Sequence, residues 1–342
     1  MKKLLVLVLA IIMAGMAFAG GGGQQSGGAA APAAAKPLVV QLGYENNPGE
    51  LVDLAMHQWQ RLLAEKSGGT MVMEIFPSSQ MGTKNEIIDQ MLAGMNVITL
   101  ADGAFFADRG VPDLGITMAP YLFATWDEAW NLLRSDWWGT QMKLLEGKGL
   151  KVLAANFIYG ERHTLAKRPI RTVDDFRGLK LRVPANTIQV KGTEVMGANP
   201  TPLPLGEVYT ALQQGVIDGV ENPLSVLYGG KFHEVAKYLT LDGHIKLLTS
   251  WFCGTQFFNK LTPQQQKWLI DSGIEAAEWN NKQYEVVAAE TIAKYKAEGV
   301  EVINIDVAAF QAKAKPFYDM PEIKSMWTPG LYDAVTKAKS GK

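Results

Sequence analysis

"GLKLRVPANT", residues 178–187, places an arginine where an apolar strand is finishing. Leu179, Leu181 and Val183 alternate with Lys180 and Arg182, the period-two pattern of a half-buried strand, and Pro184 ends it. The carboxyl ends of strands are where open α/β sheets usually hold ligands. The local pattern therefore predicts a strand that aims a guanidinium at a binding cleft.

The neighbouring segments repeat this geometry. "LKVLAANF" reads as a strand followed closely by Arg162. "GEVYTALQQG" reads as a helix with Val208, Ala211 and Leu212 inward and Gly215 as stop, and "VIDGVEN" as a strand ending on Asn222 before Pro223. In the first half, "PLVVQLGY" is a strand, Leu51 to Leu62 a helix stopped by Gly68-Gly69, and "TMVMEIF" a strand. Residues 84–93 are a helix, and "NVITLAD" is a strand with Asp102 at its exit. Alternating strands and helices imply right-handed crossovers and a parallel sheet. "MLAGMNVITLAD" and "ALQQGVIDGVEN" both run helix, glycine, short strand, polar terminus, which fits two similar lobes facing one cleft. From Thr262 a single helical pattern, with Pro263 at its first position, runs to a stop at Gly299. At about 1.5 Å per residue it would extend roughly 55 Å, enough to bridge both lobes. Leu269, Gly273, Ala277, Tyr284, Val287 and Ala288 share its inner face.

Composition narrows the function. The chain has 342 residues, 47% hydrophobic and 20% charged, with a formal net charge of −1. No basic surplus points to nucleic acid. "MKKLLVLVLAIIMAGMAFA" has the charged start, short apolar run and Ala17-Phe18-Ala19 cleavage pattern of an export signal, residues 1–19, cut near Ala19. Residues 20–36 are a Gly- and Ala-rich flexible leader, so the mature chain is expected to be exported with no membrane insertion of its own. The single cysteine, Cys253, excludes an internal disulfide, and its apolar neighbours predict a buried, inert thiol.

Enzyme signatures are missing. There is no phosphate-binding loop, no dinucleotide fingerprint and no nucleophile elbow. His57, His163, His233 and His244 lack metal-ligand spacing; His57 reads as a solvated helix residue, while His244 follows "LTLDG" at a strand end, where a structural role and a place in the cleft are both open. No catalytic group, metal or cofactor is expected. What remains is polar groups at strand ends. Arg162, Arg182 and Asn222 could converge on one small anion, because an arginine's planar fork meets both oxygens of a carboxylate. Glu45, Asn46 and Asp102 could read a ligand's hydroxyl or amine from the opposite lobe, or cap nearby helices. Tyr44, Phe105 and Trp251 are candidate apolar walls.

"TVDDFRGLKLRVP", "MGANPTPLPLGEVYTALQQGVIDGVENP", "PSSQMG" and "APYLF" resemble the solute receptors of tripartite ATP-independent periplasmic (TRAP) transporters, the DctP-type family. The resemblance implies a two-lobed, type II periplasmic-binding-protein fold, with two mixed, mostly parallel sheets around a hinge and a long C-terminal helix across both. Lobe I would comprise 37–159 and 248–287, lobe II 160–247 and 288–335. It implies capture in the periplasm of a small organic acid by Arg182, Arg162 and Asn222 and delivery to the membrane subunits of a permease, by a monomer or a homodimer. Positions that are an arginine and an aromatic wall in sialic-acid receptors are Phe105 and Leu205 here, which argues against that ligand. A binding module for a membrane sensor and an exported enzyme on the same scaffold are the alternatives.

Overall fold

The computed structural model describes residues 36–341, so the expected export signal and the leader as far as residue 35 lie outside the described residues. The first half follows the expected alternation. Strands β1 (Leu38–Gly43), β2 (Met71–Phe76) and β3 (Val97–Ala101) are separated by helices α1 (Leu51–Ser67) and α2 (Lys84–Leu92). β1 lies between β2 and β3, parallel to both.

The second half contains β4 (Leu150–Ala166), β5 (Lys180–Val183), β6 (Asn199–Pro202), β7 (Gly219–Pro223), β8 (Tyr238–Gly254) and β9 (Glu301–Ile303). β5 lies between β6 and β7, again parallel to both. The orders β2-β1-β3 and β6-β5-β7 are therefore equivalent, as the internal echo in the sequence predicts. The "GEVYTALQQG" segment is a 3-10 turn at Leu205–Glu207 followed by a short α-helix, Val208–Gln213.

The two halves are not separate sheets. β4 and β8, 17 residues each, run antiparallel through both and make one hydrogen-bonded order, β2-β1-β3-β8-β4-β7-β5-β6, with β9 beside β8. The sequence suggests a shorter β4, ending at Phe157, because "YGERH" is polar and contains a glycine. The strand instead continues through a series of register shifts between Val152 and Thr164. Such bulges bend a strand and leave backbone groups without ladder partners.

The long helix, Pro263–Ala297, supplies those partners. Asn281 Oδ1 accepts from Ile158 N (2.9 Å), Asn280 Nδ2 donates to Ile158 O (2.8 Å), and Asn281 Nδ2 donates to Asn156 O (2.8 Å). Tyr284 Oη accepts from Glu161 N (3.0 Å). The helix begins in a capping box between Thr262 and Gln265, and Gly299 follows its end at φ +75°. Its inner face includes polar Ser272, Asn280 and Thr291, all buried, which hydrophobic spacing alone does not reveal. Trp59 of α1 donates to Ser272 Oγ (2.9 Å), and a Cβ at Gly273 would stand 2.8 Å from the Trp59 ring.

Gly160 sits at the bend of β4 with φ +136°, and an added Cβ would lie 2.8 Å from Pro223 Cβ. Gly160→Ala should therefore lower unfolding free energy by roughly 1–3 kcal/mol through backbone strain and the clash. Urea denaturation measures it, and an unchanged midpoint would contradict the assignment.

The core is divided. One cluster joins α1, β1 and the long helix around Trp59 and Trp251; another surrounds Val208, Leu212 and Tyr295. A third packs Phe317, Trp327 and Leu331 from the C-terminal region against Ile116, Leu122 and Leu132, tying the chain's end back to its first half.

Candidate functional site

Arg182 is held by β5, whose register sets it beside Thr201 of β6 and Val220 of β7. It is 2% exposed. Its Nε and Nη2 both donate to the carbonyl of Leu203, at 2.9 and 2.7 Å, while Nη1 is buried without a partner. Burial pushes its pKa down to about 10, against the pull of Glu221 and Glu45, yet it keeps its charge at neutral pH. A buried cation with an unmet donor is costly unless something anionic arrives.

That side chain borders a cavity of about 70 Å³ between the β1–β3 and β5–β7 halves. Seven of the ten residues expected from the sequence line it. Glu45, Asp102 and Phe105 come from the first half, and Arg162, Arg182, Leu205 and Asn222 from the second. Asn222 is buried and makes no side-chain hydrogen bond to the described residues. Its neighbour Glu221 points the other way, as alternation along a strand requires.

Arg162 lies within β4 rather than after it. Its Nε pairs with Glu221 Oε2, and its Nη2 donates to Glu221 Oε1 (2.7 Å) and to the Glu221 carbonyl (3.0 Å). Burial opposes its charge, but Glu221 outweighs that and holds the pKa above the ordinary value. Arg162 is thus already neutralised, and Arg182 is not.

Behind Glu221 stands His244, whose Nε2 is 3.1 Å from Glu221 Oε2 and whose Nδ1 is 3.2 Å from Asp242 Oδ2. Burial alone would lower its pKa, but the two carboxylates carry it up to about 9. Asp242 also accepts from Thr164 N (3.0 Å) and Thr164 Oγ1 (2.7 Å). His244 is therefore not on the wall of this cavity; with Glu221 and Asp242 it lines a second, smaller one that also includes Met118, Gln189 and Met196.

Three expected residues are not on the wall. Asn46 sits beside it, its Nδ2 2.7 Å from both Tyr159 Oη and Glu50 Oε2, and Tyr159 does line the cavity. Tyr44 and Trp251 are corrected from apolar walls to core. Their rings pack edge-on at 6.2 Å, Trp251 also meets Trp59 and Phe157, and Tyr44 Oη donates to Asp53 (2.6 Å). Cys253 is buried, its thiol pushed up to about 12 by burial.

Asp102 caps a helix and also lines the cavity. It is the N-cap of α3 (Gly103–Asp108), accepting from Ala104 N (2.9 Å), and it faces the cavity. Burial raises its pKa, against Lys84 and Arg162. Glu45 accepts weakly from Leu205 N across the cavity (3.4 Å) and lies 3.5 Å from Lys84 Nζ.

Lys84 itself escaped the sequence reading. It opens α2, where the helix dipole disfavours a cation, and is held there by Glu45 and by the Phe105 ring at 4.7 Å. A lysine directly after the cap Thr83 in "MGTKNE" is the signal that could have found it. Glu221 gave none beyond its place in a strand, and Tyr159 lies past the end expected for its strand.

Among the described residues no group of His, Cys, Asp and Glu is arranged to hold a metal, and no helix is long and apolar enough to cross a membrane.

Known proteins match this architecture over most of its length. A family model described as bacterial extracellular solute-binding protein, family 7 (DctP), matches residues 42–324. A TRAP periplasmic solute-binding protein from Ochrobacterium anthropi, solved with bound L-fuconate, is 41% identical with a TM-score of 0.85, covering 89% of this chain and 99% of that one. One from Actinobacillus succinogenes, with bound L-galactonate, is 38% identical with a TM-score of 0.85, covering 89% of this chain and 100% of that one. The 2,3-diketo-L-gulonate-binding periplasmic protein YiaO of Escherichia coli is 31% identical, covering 79% of this chain and 83% of its own. With its two-lobed α/β fold, the chain belongs to the bacterial extracellular solute-binding protein family 7, the DctP-type receptors of TRAP transporters.

Proposed function

We propose that the protein captures a sugar acid in the periplasm, holding its carboxylate on Arg182 and Asn222, and delivers it unaltered to the membrane subunits of a TRAP permease. The observation that carries this reading is the buried Arg182 guanidinium, with one nitrogen unpartnered and no carboxylate in contact with it. Residues 1–19 would export the chain, with cleavage near Ala19. Lobe I would comprise 37–159 with 248–287 and lobe II 160–247 with 288–335, hinged where β4 and β8 shift register.

In this mechanism the ligand docks on the lobe carrying Arg162, Arg182 and Asn222. The other lobe then closes over it and excludes water, which strengthens the ion pair. The Glu45–Leu205 and Asn47–Gly229 hydrogen bonds, both 3.4 Å, are the contacts that closure would make. A permease can then distinguish occupied from empty receptor by the population of the closed state. No bond is broken.

A thermal-shift series tests the reading with L-galactonate and L-fuconate against the neutral alditol galactitol. An acid present at a hundredfold excess over Kd should stabilise by about 2.7 kcal/mol, raising Tm by several degrees. Galactitol should leave Tm unchanged. Equal shifts from the acids and the alditol would remove the carboxylate clamp, and no shift from any sugar acid would remove the function.

A further inference from the structure

Resting on the sugar-acid reading above, we infer that Glu45 and Asp102 set specificity on the cavity wall contributed by the first half. They accept hydrogen bonds from a ligand's distal hydroxyls and repel a second anionic group, so the receptor takes polyhydroxy monocarboxylates and rejects the corresponding diacids.

The charges around the cavity lead to this. Three cations line it: Arg162, Arg182 and Lys84. Arg162 is paired with Glu221, and Lys84 lies 3.5 Å from Glu45. Arg182 alone has no acidic contact, so the site has one unmatched positive group and calls for one negative one. The wall contributed by the first half carries the opposite surplus. Asp102 is buried, accepts from Ala104 N (2.9 Å) and faces the cavity. Glu45 meets only the long contacts with Leu205 N and Lys84. Carboxylate oxygens accept and do not donate, so these two suit hydroxyl hydrogens and oppose a second carboxylate. Lys84 does not reverse the balance, because it is already shared between Glu45 and the field of Asp102.

L-galactonate and galactarate isolate the effect, since they share a carbon skeleton and hydroxyl pattern and differ only in a terminal hydroxymethyl or carboxylate. By calorimetry at fixed pH and ionic strength, the wild-type protein should bind galactarate at least about 30-fold more weakly than L-galactonate. In the double variant Glu45→Gln, Asp102→Asn that ratio should narrow to roughly fivefold or less, because the repulsion is gone and Lys84 is freed. Both changes keep an acceptor oxygen, and asparagine caps a helix as well as aspartate does. The single Asp102→Asn variant should narrow the ratio partway, and melting curves check that each variant is folded. Wild-type protein binding both acids equally overturns this inference alone. A ratio unchanged in folded variants overturns the assignment to Glu45 and Asp102. A protein that binds neither acid overturns both this inference and the sugar-acid reading.

Discussion

Arg182→Ala is expected to weaken L-galactonate binding at least about a hundredfold, corresponding to the lower end of the roughly 3–5 kcal/mol that follows loss of one partner from a desolvated ion pair. The ligand-free protein should melt at the same temperature as wild type or higher. In that state the guanidinium is a buried charge held by a single carbonyl, with an unpartnered nitrogen, so its removal relieves more than it costs. The opposite signs of the two effects identify a binding residue, since a merely structural arginine would lose both together. Arg182→Lys should recover little, with binding still at least about tenfold weaker. An ammonium cannot bind both the Leu203 carbonyl and a carboxylate in the same fork, and it loses charge more readily when buried. Calorimetry for affinity and differential scanning for Tm decide the matter. Loss of stability in parallel with affinity would assign Arg182 to the scaffold.

Much of this was legible in the strands. Periodicity located β1, β2, β3 and β5, and the echo of "NVITLAD" in "VIDGVEN" anticipated the matching positions of β3 and β7. Residues at strand exits, including Arg182, Asn222 and Asp102, were found because strand ends face a cleft in this class of fold. The continuity of β4 was hidden, since a strand that bends at Gly160 and takes its missing hydrogen bonds from Asn280, Asn281 and Tyr284 loses its alternation there. Tyr44 and Trp251 were ambiguous because an aromatic near a strand end fits a core or a cavity equally well, and only packing against Trp59 and Phe157 decides. Pairing was least visible of all. Arg162 and Arg182 look alike in sequence, but Glu221 neutralises one and not the other, and that contact spans 59 residues.

Glu221→Gln should lower unfolding free energy by about 3–5 kcal/mol near pH 6, because it leaves the Arg162 and His244 charges buried together without their shared carboxylate. The same network fixes the pH dependence. His244 is carried up to about 9 in the folded chain, against about 6.5 unfolded. Its stabilising contribution, on the order of 3 kcal/mol, is therefore complete below about pH 6.5 and disappears as pH rises through about 9. Glu221 is held below the usual carboxylate range by Arg162 and His244 despite its burial, and Asp242 by its two histidine neighbours. Their contribution is present above about pH 4 and is lost as pH falls further. Wild-type stability should thus be greatest between roughly pH 5 and 6.5 and decline on the alkaline side across the window from about pH 6.5 to about 9. In Glu221→Gln the imidazolium keeps only Asp242, so the alkaline decline should start at the same pH, near about 6.5, but end at lower pH and with a smaller total loss. Urea denaturation from about pH 4.5 to 9.5 separates the two curves, with His244→Asn as the variant that keeps the Arg162–Glu221 pair and loses the alkaline decline. Parallel curves for wild type and Glu221→Gln would mean that His244 draws its charge from Asp242 alone and that Glu221 serves only Arg162.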